Sequence, residues 1–222
     1  ESITATVPVK EIGGDGYLVM ATKMGEVKRT AISDFHYIRT NGLRAFDLEE
    51  GDELRWVRLT SGNDDLLIVT RLGMSIRFSE NDLRVASRAS GGVRGINLAE
   101  GDSVVSMDVC RDGCDVLVVT EKGFGKRTPV KEYRKQSRGG KGIKTLNITE
   151  KNGCVVTSHI VCSEDRAIIL TTNGIAIRLK LSEVRCCGRS TIGVKMINLN
   201  EGDLVASVAI VSKDGDEEEN EK

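Results

Sequence analysis

Four short apolar runs punctuate the chain, each turning at a glycine into a second, more polar run. They are YLVMATKMGEVKRT from Tyr17, LLIVTRLGMSIRF from Leu66, VLVVTEKGFGKRT from Val116 and AIILTTNGIAIRL from Ala167. The turn glycines, Gly25, Gly73, Gly123 and Gly174, lie 48, 50 and 51 residues apart. A threonine stands three residues before each (Thr22, Thr70, Thr120, Thr171), and an arginine four residues after (Arg29, Arg77, Arg127, Arg178). Ten residues after each comes an apolar residue: Phe35, Leu83, Tyr133 or Val184. The β-branched first run, the glycine turn and the returning run predict a buried strand closing a hairpin.

A second glycine register keeps step with the first. Gly42, Gly92, Gly142 and Gly193 are spaced 50, 50 and 51 residues apart. An apolar residue and then a cation follow each: Leu43–Arg44, Val93–Arg94, Ile143–Lys144, Val194–Lys195. Apolar residues recur four and six positions beyond the glycine, so this segment predicts a half-buried third strand. An acidic turn closes it, EGD at 50–52, 100–102 and 201–203, with EKNG at 150–153 as the variant. Runs such as DSVVSMDVC and DLVASVAIV predict a fourth strand, and the polar stretch between second and third strands predicts a loop with at most one helical turn.

Four strands per repeat of about 50 residues predict an all-β, β-pinwheel or propeller-like array of about four four-stranded blades. The repeats run over 17–64, 66–115, 116–165 and 167–211. Residues 3–9, ITATVPV, look like a fourth strand without its first three, as if the chain began within a longer array; closure of a ring is the other reading of that strand. Residues 1–211 form the expected domain, and 212–222 an acidic, disordered tail.

Charge changes the picture once the tail is set aside. The net charge is −1, but DGDEEENEK at the end holds six acids and one lysine. The remaining body has 31 basic and 27 acidic residues, a net of +4. Its cations recur in register. Arg44, Arg94, Lys144 and Lys195 follow the second glycine, and Arg39, Arg88, Arg138 and Arg189 precede it by three or four residues. Cations recurring at one place in stacked blades make a belt, and such a belt matches the phosphates of duplex DNA. A curved belt implies bent DNA. Solvated charges are the competing reading of any one of these positions; their fourfold recurrence favours the belt. Arg29, Arg77, Arg127 and Arg178 lie inside strands and are expected to pair with acids of neighbouring repeats.

Other chemistries find little material. Aromatic residues are 4 % of the chain, too few for the stacking platform of single-stranded nucleic acid. The two histidines, His36 and His159, fall in different repeats, and no metal or cofactor set is expected. Six cysteines without a CxxC pair read as reduced thiols, with Cys110 and Cys162 as small apolar fillers at strand ends. No apolar run approaches the roughly 20 residues of a membrane helix.

The stretch QSRGGKG, 136–142, resembles the gyrase-A box, a glutamine-x-arginine-glycine-glycine-cation-glycine signature. With TEKGFGKRTPVKEYRKQSRGGKGIKTL around it, and IRTNGLRAFDLEEGDEL and RASGGVRGINLAEGD in other repeats, the whole chain is similar to the C-terminal domains of DNA gyrase A subunits. That resemblance implies a β-pinwheel wrapping duplex DNA on its basic perimeter, in support of negative supercoiling. It implies Gln136, Arg138, Gly139, Gly140, Lys141 and Gly142 as a DNA-contacting loop. It places DNA cleavage and the use of ATP and Mg in other parts of the holoenzyme, with no catalytic residue or cofactor in this chain. The implied partners are double-stranded DNA and the rest of the A subunit with the B subunit in a heterotetramer, and the implied location is the bacterial cytoplasm, nucleoid-associated, with no membrane contact. The family's principal box belongs to the first blade, whereas this match falls in the third complete repeat. The loop therefore reads as a secondary copy, with the first blades upstream of residue 1. Two alternatives stand beside this reading. The equivalent domain of topoisomerase IV carries degenerate boxes, and a propeller-like protein-interaction scaffold would lack duplex affinity altogether. The intact QSRGGKG argues against the former; the absence of WD dipeptides and the basic loops argue against the latter.

Overall fold

The computed structural model describes residues 3, 5–9, 14–37, 40 and 42–212. Among these the chain is all β, apart from single 3-10 turns at Ile32–Phe35, Glu80–Asp82, Val130–Glu132 and Leu181–Glu183. In chain order the strands are β1 (Tyr17–Thr22), β2 (Glu26–Ala31), β3 (Leu54–Thr60), β4 (Asp65–Thr70), β5 (Met74–Ser79), β6 (Val93–Arg94), β7 (Val104–Val109) and β8 (Asp115–Thr120). They continue with β9 (Phe124–Pro129), β10 (Ile143–Lys144), β11 (Val155–Val161), β12 (Arg166–Thr171), β13 (Ala176–Lys180), β14 (Val194–Lys195) and β15 (Val205–Val211). The sheet orders are β3-β1-β2-β6, β10-β5-β4-β7, β11-β8-β9-β14 and β13-β12-β15. Antiparallel pairing joins each hairpin, for example Leu117↔Arg127 in β8–β9 and Ile168↔Arg178 in β12–β13.

The expected blade is thus present with one rearrangement, and the third strand expected after Gly42 is absent at residues 42–49. The short third strand does not join its own repeat. β6 pairs with β2 of the preceding repeat (Val93↔Val27), β10 with β5 (Ile143↔Ser75) and β14 with β9 (Val194↔Gly125). The fourth sheet consequently has three strands among the described residues. The strand expected at 3–9 is also absent at its described residues, 3 and 5–9. A strand exists through its ladder, and Pro8 supplies no N–H for one.

The repeated threonine explains the hairpin. In each, the glycine N–H donates to the threonine carbonyl, and the threonine Oγ1 accepts the N–H four residues on: Glu26 to Thr22 at 3.0 Å, Met74 to Thr70, Phe124 to Thr120 and Ile175 to Thr171 at 3.2 Å. The turn glycines take positive φ, 90° at Gly25 and 76° at Gly123, a conformation that a Cβ penalises. The aspartate of EGD braces the same tip: Asp52 Oδ1 accepts the Met24 N–H at 2.9 Å, and Asp203 Oδ1 the Asn173 N–H at 3.0 Å.

The contacts divide the chain into two units, Glu1–Ile68 with Ile76–Val109 and Lys135–Gly142, and Val69–Ser75 with Cys110–Arg134 and Ile143–Lys222. The first packs around Val19, Val27, Leu66, Ile68, Ile76, Phe78, Ile96 and Met107. The second packs around Leu117, Val119, Val161, Ile169, Leu181, Ile197 and Val205. The residue four after the second glycine is buried in every repeat, as Phe46, Ile96, Leu146 and Ile197.

Candidate nucleic-acid interface

The predicted cations sit on loops that are fastened in the same way each time. In the first unit, the Ala86 N–H donates to the Arg29 carbonyl and the Gln136 N–H to the Arg77 carbonyl, both at 2.8 Å. The loops then lie over the preceding repeat, where the Asp47 N–H donates to Ser90 O at 3.0 Å and the Asn97 N–H to Gly140 O at 2.9 Å. In the second unit, Cys187 N–H reaches Arg127 O at 2.8 Å, and Asn147 N–H reaches Thr191 O at 2.9 Å. Each loop is therefore pinned at its start by a strand arginine's backbone and at its crest by an amide of the previous repeat.

A third fastening comes from the candidate arginines themselves. Arg88 Nη1 donates to Arg44 O at 3.3 Å, Arg138 Nη1 to Arg94 O at 3.1 Å, and Arg189 Nη1 to Lys144 O at 2.8 Å. Arg138 Nε also donates to Asp82 O at 3.1 Å. Each arginine thus binds the backbone of the cation one repeat earlier. The two sets of cations, which are separate columns in the sequence, touch in space. They also differ in exposure: Arg88, Arg138 and Arg189 are half-buried, whereas Arg44, Arg94, Lys144 and Lys195 are exposed. The guanidinium keeps N–H groups beyond those used on carbonyls. Arg44 pairs with Asp47 at 2.9 Å, but both side chains are well exposed and the pair is weak. Arg39 lies outside the described residues.

The 136–142 loop has a defined geometry. Gly139 donates its N–H to Gly95 O at 2.6 Å and takes φ +79°; a Cβ there would lie 3.3 Å from Arg94 O. Gly142 takes φ +74°. Gly140 has an ordinary φ, and its nearest neighbour to a Cβ is Ile76 Cδ1 at 3.8 Å. Lys141 is exposed, and the buried Gln136 Nε2 has no hydrogen-bond partner.

Three strand arginines, Arg29, Arg77 and Arg127, pair with acids and hold this scaffold. Arg29 lies 3.6 Å from Glu80 of the next repeat, as expected. Arg77 and Arg127 instead pair with Asp65 and Asp115 of their own hairpins, at 2.9 and 2.8 Å. The cause is antiparallel register: with Leu117 opposite Arg127, Asp115 is the diagonal neighbour on the same face.

Two residues of the site escaped sequence reasoning. Lys28 and Lys126 are buried beneath the loops, 2 % and 0 % exposed. Lys28 Nζ donates to Ala45 O at 2.7 Å and to Arg88 O and Ser90 O at 2.8 Å, below the Phe46 ring. Lys126 Nζ donates to the Gly188 and Arg189 carbonyls. Burial pushes both ammonium groups down from 10.5 to about 8. The signal was the alternation of Lys28, Ile76, Lys126 and Ile177 one position before the strand arginine.

The family model described as DNA gyrase C-terminal domain, beta-propeller, matches residues 16–61, 64–111, 115–160 and 165–212. The chain belongs to this family. The DNA gyrase A subunit of Halalkalibacterium halodurans is 54 % identical over 217 residues, covering 98 % of this chain and 26 % of that protein. The same subunit of Clostridium acetobutylicum is 42 % identical over 218 residues, with the same two shares. The chain thus spans about a quarter of the length of these curated relatives. Among solved structures, a DNA gyrase A C-terminal domain aligns at TM-score 0.82 and 25 % identity, over 91 % of this chain and 68 % of that one. A topoisomerase IV C-terminal domain aligns at TM-score 0.88 and 24 % identity, over 97 % and 70 %, and speaks for the fold alone.

Proposed function

We propose that this chain binds duplex DNA without sequence preference and bends it along its basic loops, as the DNA-wrapping part of a gyrase A subunit that supports negative supercoiling. The single observation that carries this reading is the lacing of consecutive loops. Arg88, Arg138 and Arg189 fix the backbones of Arg44, Arg94 and Lys144, so each of these exposed cations is held beside the arginine of the following loop. Cations already positioned lose less entropy on meeting a phosphate backbone. In this reading Arg44, Arg94, Lys141, Lys144 and Lys195 meet phosphates directly. Arg138 and Arg189 contribute their free N–H groups, and Gly139, Gly140 and Gly142 keep the loop low enough for close approach.

The remaining roles follow from kinship with gyrase A subunits. The chain works in the bacterial cytoplasm at the nucleoid, within a complex of A and B subunits, while strand cleavage and the use of ATP and Mg take place elsewhere in that complex. Ligase closure of a nicked circular duplex tests the wrapping. In the presence of the chain, the closed circles should show a shifted linking-number distribution that grows with protein. A distribution identical to that of free DNA, under conditions where the chain is bound, contradicts wrapping.

A further inference from the structure

Cys114 and Cys162 had no assigned chemistry in the repeat. Cys110 and Cys162 occupy similar strand ends in the sequence, yet the structure brings Cys162 against Cys114. Their sulfurs are 2.7 Å apart, and both thiols are free. The two residues lie just beyond Asp115↔Val161, the last pair of the β8–β11 ladder, so the backbone presents them side by side. Their surroundings are fixed: the Cys162 N–H donates to Asp165 Oδ2 at 2.7 Å, the Cys114 N–H to Arg111 O at 3.3 Å, and Cys114 O accepts from the Val130 N–H at 3.1 Å. Cys162 is exposed and Cys114 is buried. An exposed thiol in contact with a buried one is the arrangement of an attacking and a resolving cysteine.

We propose that Cys114 and Cys162 form a thiol–disulfide exchange site that takes low-molecular-weight disulfides and closes into a reversible cross-strand bond. The Cys162 thiolate attacks one sulfur of a small disulfide RS–SR. A Cys162–S–SR bond forms, the RS–SR bond breaks, and RS⁻ leaves and takes up a proton. Cys114 then loses its proton and attacks the Cys162 sulfur. The Cys114–Cys162 bond forms, and a second RS⁻ departs and is protonated. Two protein thiols are oxidised, and one RS–SR is reduced to two RSH. Burial holds the Cys114 thiol up, at about 11, consistent with Cys162 reacting first. The product ties the edge strand β11 to β8 in the sheet whose β9 carries the buried Lys126.

The test uses the intact chain and oxidised glutathione. Thiol titration should fall by two of the six cysteines. Non-reducing peptide mapping should join the segment bearing Cys114 to that bearing Cys162, and dithiothreitol should reverse the link. The thermal midpoint should rise by on the order of 10 °C on oxidation and stay unchanged in Cys162→Ser. Cys114→Ser should halt at a glutathione adduct on Cys162. An adduct that persists on Cys162 of the unaltered chain, or links spread without preference over Cys110, Cys154, Cys186 and Cys187, overturns the proposal. Because the mapping is read on the unaltered chain, it decides the matter even if a variant fails to fold.

Discussion

The loop at 136–142 and its counterparts at 86–92 and 187–193 share one backbone plan and an equivalent arginine, yet they differ in what lies beneath them and in the lysine they expose. The two counterparts turn carbonyls inward around a buried ammonium, Ser87, Arg88 and Ser90 around Lys28, and Gly188 and Arg189 around Lys126. Beneath 136–142 the same position is Ile76, fully buried, and an additional cation, Lys141, faces solvent. One arrangement uses a lysine as an internal strut. The other seats its loop on hydrocarbon and leaves its lysine available outside. Counting cations per repeat misses this difference, because position decides whether a lysine can meet a ligand.

The largest effect should come from removing a strut. Lys126→Ala removes the ammonium donor from the Gly188 and Arg189 carbonyls and leaves a cavity, and should lower unfolding free energy in urea by roughly 3 kcal/mol. A loss below about 1 kcal/mol would reduce Lys126 to a dispensable filler. Removing the outward pair should act on binding instead. Arg138→Ala with Lys141→Ala should reduce the slope of log affinity against log salt by about two. Lys141→Ala alone should reduce it by about one without moving the urea midpoint, whereas Arg138→Ala, which also fastens the loop, should move both. An unchanged slope returns these side chains to solvated charge.

The glycines sharpen the contrast at smaller scale. Gly139→Ala should cost about 1 kcal/mol, because its φ is positive and Arg94 O is close. Gly140→Ala should stay within about 0.5 kcal/mol. Equal costs would mean that the loop's conformation is not what the glycines serve.

The smallest effect is in pH. Lys28 and Lys126 have folded values of about 8, below the ordinary 10.5. Between those two values the unfolded chain binds more protons than the folded one. These groups therefore add stability as pH rises through that window, and their penalty is fully present below about pH 8. Comparing midpoints at pH 7 and about pH 9.5 should show a smaller alkaline gain in Lys126→Met than in the unaltered chain. An identical gain would contradict the depressed value.

Much of this was legible in the sequence because repetition averages out local ambiguity. The Thr22–Gly25 hairpin and its three copies, the apolar residues after the second glycine and the two columns of cations all recur in register. What the sequence hid was partnership. Val93–Arg94 reads as a strand of its own repeat, but nothing in a local pattern says that its ladder lies with Val27. The acid partner of Arg127 follows from cross-strand register, which hydrophobic alternation alone does not reveal. Lys28 reads as polar, and only the converging carbonyls of distant loops make its burial possible. Arg88 and Arg44 stand in two separate columns; their contact depends on the loop crossing the preceding repeat.

The central claim, that exposed cations on laced loops form a surface for the phosphates of duplex DNA, is tested most directly by titrating a labelled linear duplex with the chain over a range of salt. Five exposed cations, Arg44, Arg94, Lys141, Lys144 and Lys195, together with Arg138 and Arg189, should give a linear fall of log affinity with log salt and a slope of about −6. No binding at the lowest salt, or an affinity indifferent to salt, would contradict it.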